Sequence, residues 1–198
     1  MNLSKTITGA AIILALVSLA SMASGAVDNR ARSDEVVKEA DAIILAAGKK
    51  EPLDGKMINH AIEVLHQALK IYPRNDSAYV DLGFCYGLLD DGPTAEDMYR
   101  TATMINPSAG NFKELADIYL RAGNPESALM AANAGLEKDA HNAKLYNAKG
   151  LALNELQRKD EAAQAFREAM HYDPSLKVAK QNLESLNSTT GKSGKRKQ

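Results

Sequence analysis

The sequence predicts an all-α fold, an α-solenoid in which helix–turn–helix pairs stack side by side. Three observations predict it. Amphipathic stripes, with apolar residues at steps of three and four, recur in pairs along most of the 198 residues. Small residues hold fixed places in each pair: in 143–176 these are Gly150, Ala162 and Ala169, with Tyr146 and Phe166 filling the space beside them. The small residue that opens each second helix, Ala61, Ala95, Ala128 and Ala162, returns at spacings of 34, 33 and 34. A single helix pair cannot bury its apolar stripe alone, so each unit requires neighbours of its own kind.

Composition narrows the function classes. Hydrophobic residues at 45% and charged residues at 25% describe a globular body rather than a disordered or fibrous chain. A net charge of −1 supplies no field that would draw the protein to nucleic acid. Cys85 is the single cysteine, which excludes an intramolecular disulfide and any zinc or iron–sulfur site built on cysteines.

Residues 1–26 read as a signal peptide. Lys5 supplies the positive start, Ile7 to Ala20 is almost wholly apolar and small, and Ser21-Met22-Ala23 or Ser24-Gly25-Ala26 offers a small-x-small cleavage site. The alternative is an uncleaved N-terminal membrane anchor over residues 7–26, because Thr6 to Val27 carries no charge and is long enough to span a bilayer. Either way the rest of the chain is expected outside the cytoplasm, periplasmic or secreted.

Residues 27–32 read as a linker and 33–187 as the repeat domain. Ser33 is the expected N-cap of a helix from Asp34 to Ala47, whose stripe is Val36, Val37, Ala40, Ile43, Ile44 and Ala47. Gly48 to Asp54 is a loop. Asp54 then caps a helix from about Gly55 to Ile71 that buries Ile58, Ala61, Ile62, Leu65, Ala68 and Leu69. The next pair, 76–109, turns at Asp90-Asp91-Gly92-Pro93, and the pair 109–142 turns at Gly123-Asn124-Pro125. The pair 143–176 follows. A last helix, 175–187 behind Ser175, carries Leu176, Ala179, Leu183 and Leu186 on one face and covers the open end of the stack. Residues 188–198, with Lys192, Lys195, Arg196 and Lys197, read as a disordered basic tail.

Further positions keep register with the small residues. Gly83, Ala116 and Gly150 align, as do Tyr86, Tyr119 and Leu153, then Tyr99, Ala132 and Phe166, and the terminators Pro73, Pro107, Ala140 and Pro174. This pattern resembles the tetratricopeptide repeat, with its aromatic-x-x-Leu-Gly-x-x-Tyr, Ala-x-x-x-Phe and closing Pro. The resemblance covers residues 33–176 in four units, 33–75, 76–109, 109–142 and 143–176, plus the capping helix. The first unit departs most, since 48–54 lengthens its inter-helix turn by about eight residues.

The resemblance implies a right-handed stack whose first helices line a concave groove, and a protein that binds proteins or peptides and is not an enzyme. It implies that Val80 and Phe84 face the groove from the second unit. Lys113, Asp117 and Arg121 would do so from the third, and Lys144, Asn147, Leu151 and Asn154 from the fourth. Apolar Val80, Phe84 and Leu151 beside Lys113, Arg121 and Lys144 suit an extended peptide or short helix with an acidic end, its carboxylates paired by the cations. The two-carboxylate clamp of chaperone-binding relatives is not expected, because Asp117 and Ala148 stand where it needs asparagines.

No catalytic, metal or cofactor set emerges from the residues. Glu63-x-x-His66 and Glu168-x-x-His171 share the spacing of di-iron carboxylate helices, but they belong to the first and last units and cannot converge in a stack. Gly191-Lys192-Ser193 lacks the earlier glycine and the strand of a phosphate-binding loop. Cys85 reads as a small core residue. The expected function is a non-enzymatic adaptor in assembly of an envelope or secretion complex. A membrane-anchored subunit that self-associates is the alternative.

Overall fold

The computed structural model describes residue 25 and residues 28–50 and 52–194, so the expected signal peptide and the end of the expected basic tail lie outside the described residues. Among the described residues there are helices and turns and no strand. The chain divides into two compact units, residues 1–78 and 79–198.

In the first unit, α1 covers residues 28–47 and α2 is Gly55–Ile71. Val37, Ala40 and Ala47 of α1 are buried with Ile58, Ala61, Ile62, Val64, Leu65 and Ala68 of α2, so the two stripes read from periodicity form the core. Asp54 caps α2, its carboxylate accepting from the Lys56 and Met57 amides.

Two expectations are corrected here. Residues 28–32 are helical rather than a linker, and Ser33 is an interior residue of α1, not its N-cap. The physical reason is a buried hydrogen-bond hub. The fully buried Ser33 hydroxyl donates to the Ala68 carbonyl at 2.8 Å and accepts from Asn75 Nδ2 at 2.8 Å. Asn75 also donates to Asp34 at 2.8 Å, while its own carbonyl caps the next helix through the Ala78 amide. A hydroxyl with partners in the core has no need of a helix end.

The second unit takes up α3 (Asp76–Leu88) from residue 79 on, then α4 (Gly92–Ile105), α5 (Ala109–Arg121), α6 (Pro125–Lys138), α7 (Ala143–Glu155), α8 (Lys159–Tyr172) and α9 (Lys177–Gly194). Its turns repeat one chemistry. Asp91, Asn124 and Asn142 accept from Thr94, Ser127 and Leu145 amides at 3.1–3.2 Å, with Pro93 and Pro125 preset in the first helical turn. Each second helix ends on an extended residue: Asn106 (φ −135°), Asp139 (φ −144°) and Asp173 (φ −138°). Pro107 and Pro174 enforce this geometry on the residue before them. Ala140 stands in the proline slot without changing it, because the Asp139 carboxylate holds the turn through the His141 amide at 3.1 Å.

Glycines allow the pairs to close. A Cβ on Gly83 would lie 3.0 Å from the Tyr99 ring, one on Gly150 2.5 Å from the Phe166 ring, and one on Gly135 2.7 Å from Leu145. Around these approaches Tyr99, Leu115, Ala116, Ile118, Ala132 and Leu145 form one cluster, and Leu153, Ala162, Ala165, Phe166 and Leu186 another. Cys85 is fully buried, as expected of a small core residue.

The last helix differs from expectation at both ends. It starts at Lys177, and Ser175 does not cap it: its hydroxyl and amide both bond to Asp173, at 2.6 and 2.9 Å. Those bonds hold the Asp173 carboxyl below the usual carboxylate range. The helix continues to Gly194 rather than ending near Asn187. No proline interrupts residues 188–194, and loss of apolar periodicity alone does not stop a helix.

Candidate partner-binding groove

All nine residues expected in the groove belong to the second unit, on the first helices α3, α5 and α7. α5 and α7 pack against one another, and α7 packs against α9. The exposed faces of these helices are what a partner would meet.

The apolar candidates are not equivalent. Val80 is half-buried against the cluster containing Tyr99 and Leu115, and Leu151 against the cluster containing Phe166. Phe84 is 46% exposed, large for an aromatic ring on a helix whose other face is core. A ring left in water is what a docking partner would cover.

The cations separate as well. Lys113 is already engaged, its ammonium 2.9 Å from Asp117 and 3.1 Å from Glu114. Burial disfavours its charge, yet the two carboxylates outweigh this and hold its pKa above the ordinary lysine value. Asp117 therefore acts as the local partner of Lys113. Lys144 is exposed at the start of α7, close enough to Asp173 to favour that carboxylate.

Arg121 is exposed but not loose. Its guanidinium lies over Gly87, where a Cβ would come within 3.4 Å of Nη1, and its charge acts on the phenol of buried Tyr99. Burial, then the nearby Glu114 carboxylate, push the Tyr99 phenol well above the ordinary tyrosine value, with Asp81 adding to the rise and Arg121 opposing it. The phenol stays neutral at physiological pH, so it does not cancel the guanidinium's charge.

Asn147 faces α9, accepting from Asn182 Nδ2 at 2.9 Å, which fastens the capping helix to α7. Asn154 is half-buried about two turns further on. The sequence reading missed Tyr99, Glu114 and Asn182 as neighbours of the site. Tyr99 carried a legible signal: a hydroxyl in a buried aromatic slot needs a partner. The Lys113–Asp117 pair was legible too, at i and i+4 on one helix.

Elsewhere, exposed rings gather at the end of α8. Tyr172 stacks on Tyr146 with centroids 5.4 Å apart and touches His141 and His171 at 4.9 and 5.0 Å. Glu63-x-x-His66 lies on α2 and Glu168-x-x-His171 on α8, in different units. Among the described residues no group of three or more histidines, cysteines or carboxylates is placed to hold a metal, and no helix is long and apolar enough to cross a membrane.

Residues 113–175 match the tetratricopeptide repeat family. The fold is that of a tetratricopeptide repeat solenoid. It is similar to the tetratricopeptide repeat domain of Arabidopsis OM64, at 25% identity and TM-score 0.54, over 57% of this chain and 94% of that one. It is also similar to YrrB, described as a tetratricopeptide repeat protein with an unusual peptide-binding site, at 18% identity and TM-score 0.60, over 79% and 76% of the two chains. A third likeness is to the second tetratricopeptide repeat domain of human RPAP3, solved with an HSP70 peptide, at 21% identity and TM-score 0.52, over 55% and 92%. Among curated proteins nothing matches. Proteins of this tetratricopeptide repeat class bind peptides and mediate protein–protein interaction.

Proposed function

We propose that the protein is a non-enzymatic adaptor that holds an extended segment of a partner protein in the concave groove lined by α3, α5 and α7. The observation that carries this reading is Phe84: an exposed ring on a first helix, flanked by half-buried Val80 and followed by the polar residues of α5 and α7. A partner side chain laid on that ring removes apolar surface from water at about 25 cal/mol per Å². Polar groups such as Asn154 and Arg121 would fix register. The peptide complex of RPAP3 and the peptide site of YrrB support the same mode of action.

The adaptor works outside the cytoplasm, in assembly of an envelope or secretion complex. The apolar run from Ile7 to Ala20 and the small-x-small sites after it support export. N-terminal sequencing of the mature protein tests this part, and a retained Met1 removes the cleavage proposal.

The groove is tested by placing a photo-crosslinking residue at Phe84 and, separately, at Met104, an 82% exposed residue of the second helix α4. Crosslinks to one partner from position 84 alone support the groove. Crosslinks from 104 alone would move the binding surface to the second helices.

A further inference from the structure

An apolar hollow lies on the face of α5 turned away from the candidate groove. Phe112, Leu115 and Tyr119 of α5 and Met130, Ala131 and Ala134 of α6 line about 260 Å³ of space. The three α5 residues stand at i, i+3 and i+7, one helical face, whereas Lys113 and Asp117 of the groove set stand on another. The hollow is smaller than the roughly 300 Å³ at which small-molecule sites begin, so it suits aliphatic side chains of a partner.

The neighbouring pair has the same hollow with a different lining. There Lys149 takes the place of Leu115, Gln164 that of Met130, Glu168 that of Ala134, and Glu161 that of Ser127 at the edge. The repeat thus folds with polar and charged residues at these places, and packing of a pair does not require Met130 to be apolar. Yet Met130 is 72% exposed and Met104 of α4 is 82% exposed, the highest values for large apolar side chains among the described residues.

The hollow extends toward α4. Both α4 and α6 pack on α5, and the charges of Glu96 and Arg100 on α4 act on the phenol of Tyr119 in the hollow. Met104 is one turn beyond Arg100 on the same edge of α4. The trough follows α5, whose 13 residues span about 20 Å. Its walls are acidic: α4 and α6 carry four acids against two bases, and Arg100 is already 3.5 Å from Asp97. A helix lays side chains at i and i+4 in one row along such a trough, whereas an extended segment turns alternate side chains to water. The basic tail of this chain, Lys192 to Lys197, has charge but no apolar residue to enter the hollow.

We propose that the hollow is a second docking site, for a basic amphipathic helix of a partner protein. Its Leu, Phe or Met side chains enter between Met104 and Met130, whose flexible thioethers adapt to the shape presented. Its Lys or Arg residues meet Glu96 and Glu126. The site is independent of the groove and makes the adaptor two-sided.

The test uses the full chain and a library of helical peptides with Leu, Phe or Ser at two positions one turn apart and Lys, Gln or Glu at the flanking positions. Selected binders are remeasured against Met130→Gln with Ala134→Glu, which gives this hollow its neighbour's lining, and against Glu96→Gln with Glu126→Gln, Gln164→Glu and Phe84→Ala. Denaturant midpoints confirm that each variant is folded. Enrichment of Leu or Phe together with Lys is expected. The relined hollow should weaken these peptides by about ten-fold or more. Removing the two acids should weaken them by roughly three-fold at low salt and less at high salt. Gln164→Glu and Phe84→Ala should leave them unchanged. Binders that ignore the relined hollow overturn the site, and enrichment of Glu over Lys overturns the basic partner. A wild-type oligomer in sedimentation that the relined variant loses would assign the hollow to a second copy and overturn the partner helix.

Discussion

The pairs 76–109 and 143–176 are the same packing solved twice. In each, a glycine on the first helix lies against an aromatic ring of the second, Gly83 with Tyr99 and Gly150 with Phe166. Both rings are fully buried. They differ by one oxygen. Phe166 sits among Leu153, Ala162, Ala163, Ala165 and Leu186 and does nothing but fill space. Tyr99 fills the equivalent space and carries a hydroxyl that feels the charge of Arg121 on the next first helix. The comparison teaches that the same buried slot accepts a ring with or without a hydroxyl, at little cost to packing.

The largest effects should come from breaking the shared packing. Phe166→Ala is expected to cost about 3–5 kcal/mol, seen as a fall in the denaturant midpoint. Gly150→Ala should cost about 3 kcal/mol, since its Cβ would sit 2.5 Å from the ring. Gly83→Ala should cost less, about 1 kcal/mol, because the approach is 3.0 Å and alanine returns helix propensity. Equal costs at the two glycines would mean the pairs are not packed alike.

Next comes the oxygen itself. Tyr99 holds its proton more tightly folded than unfolded, so its contribution is fully present below the unfolded value of about 10 and is lost as pH rises above it. Stability should therefore drop on going above pH 10 in the wild type, and Tyr99→Phe should flatten that drop. Ultraviolet titration should show one tyrosine ionising only as the protein unfolds. The reciprocal change, Phe166→Tyr, places a hydroxyl among apolar side chains and should cost about 1–3 kcal/mol at neutral pH. Tyr99→Phe should cost about 1 kcal/mol or less.

The smallest effect concerns the turns. Asp90, Gly123 and Gln157 occupy one slot and share a left-handed backbone, φ 62°, 69° and 60°. Glycine accepts that conformation freely, aspartate tolerates it, and glutamine is strained there. Gln157→Gly should gain about 0.5–1 kcal/mol by thermal melting, with Asp90→Gly gaining less. A loss at position 157 would show that its side chain is used elsewhere.

Much of the fold was legible because it is local and repeated. Ile58, Leu65, Ala95, Leu153 and Ala162 are buried where the periodicity placed them. Asp54 caps where its spacing said it would. Ser33 and Ser175 were misread for one reason: a serine before an apolar run looks like a cap whether its hydroxyl turns to its own helix or to some other group. Ser33 turns to Ala68 and Asn75, 35 and 42 residues away, and no local pattern encodes that.

The groove was legible only as a set of slots. By itself the sequence determined the helix pairs, their register, the turns and the residues that fill the core, because these follow from periods of three and four and from glycine and proline chemistry that act within a few residues. Tertiary structure decided which members of the surface set are available. It tied Asn147 to α9 through Asn182 and laid Arg121 across Gly87. Those choices depend on which side chains from different helices come within hydrogen-bonding reach, and that reach exists only once the repeats are stacked.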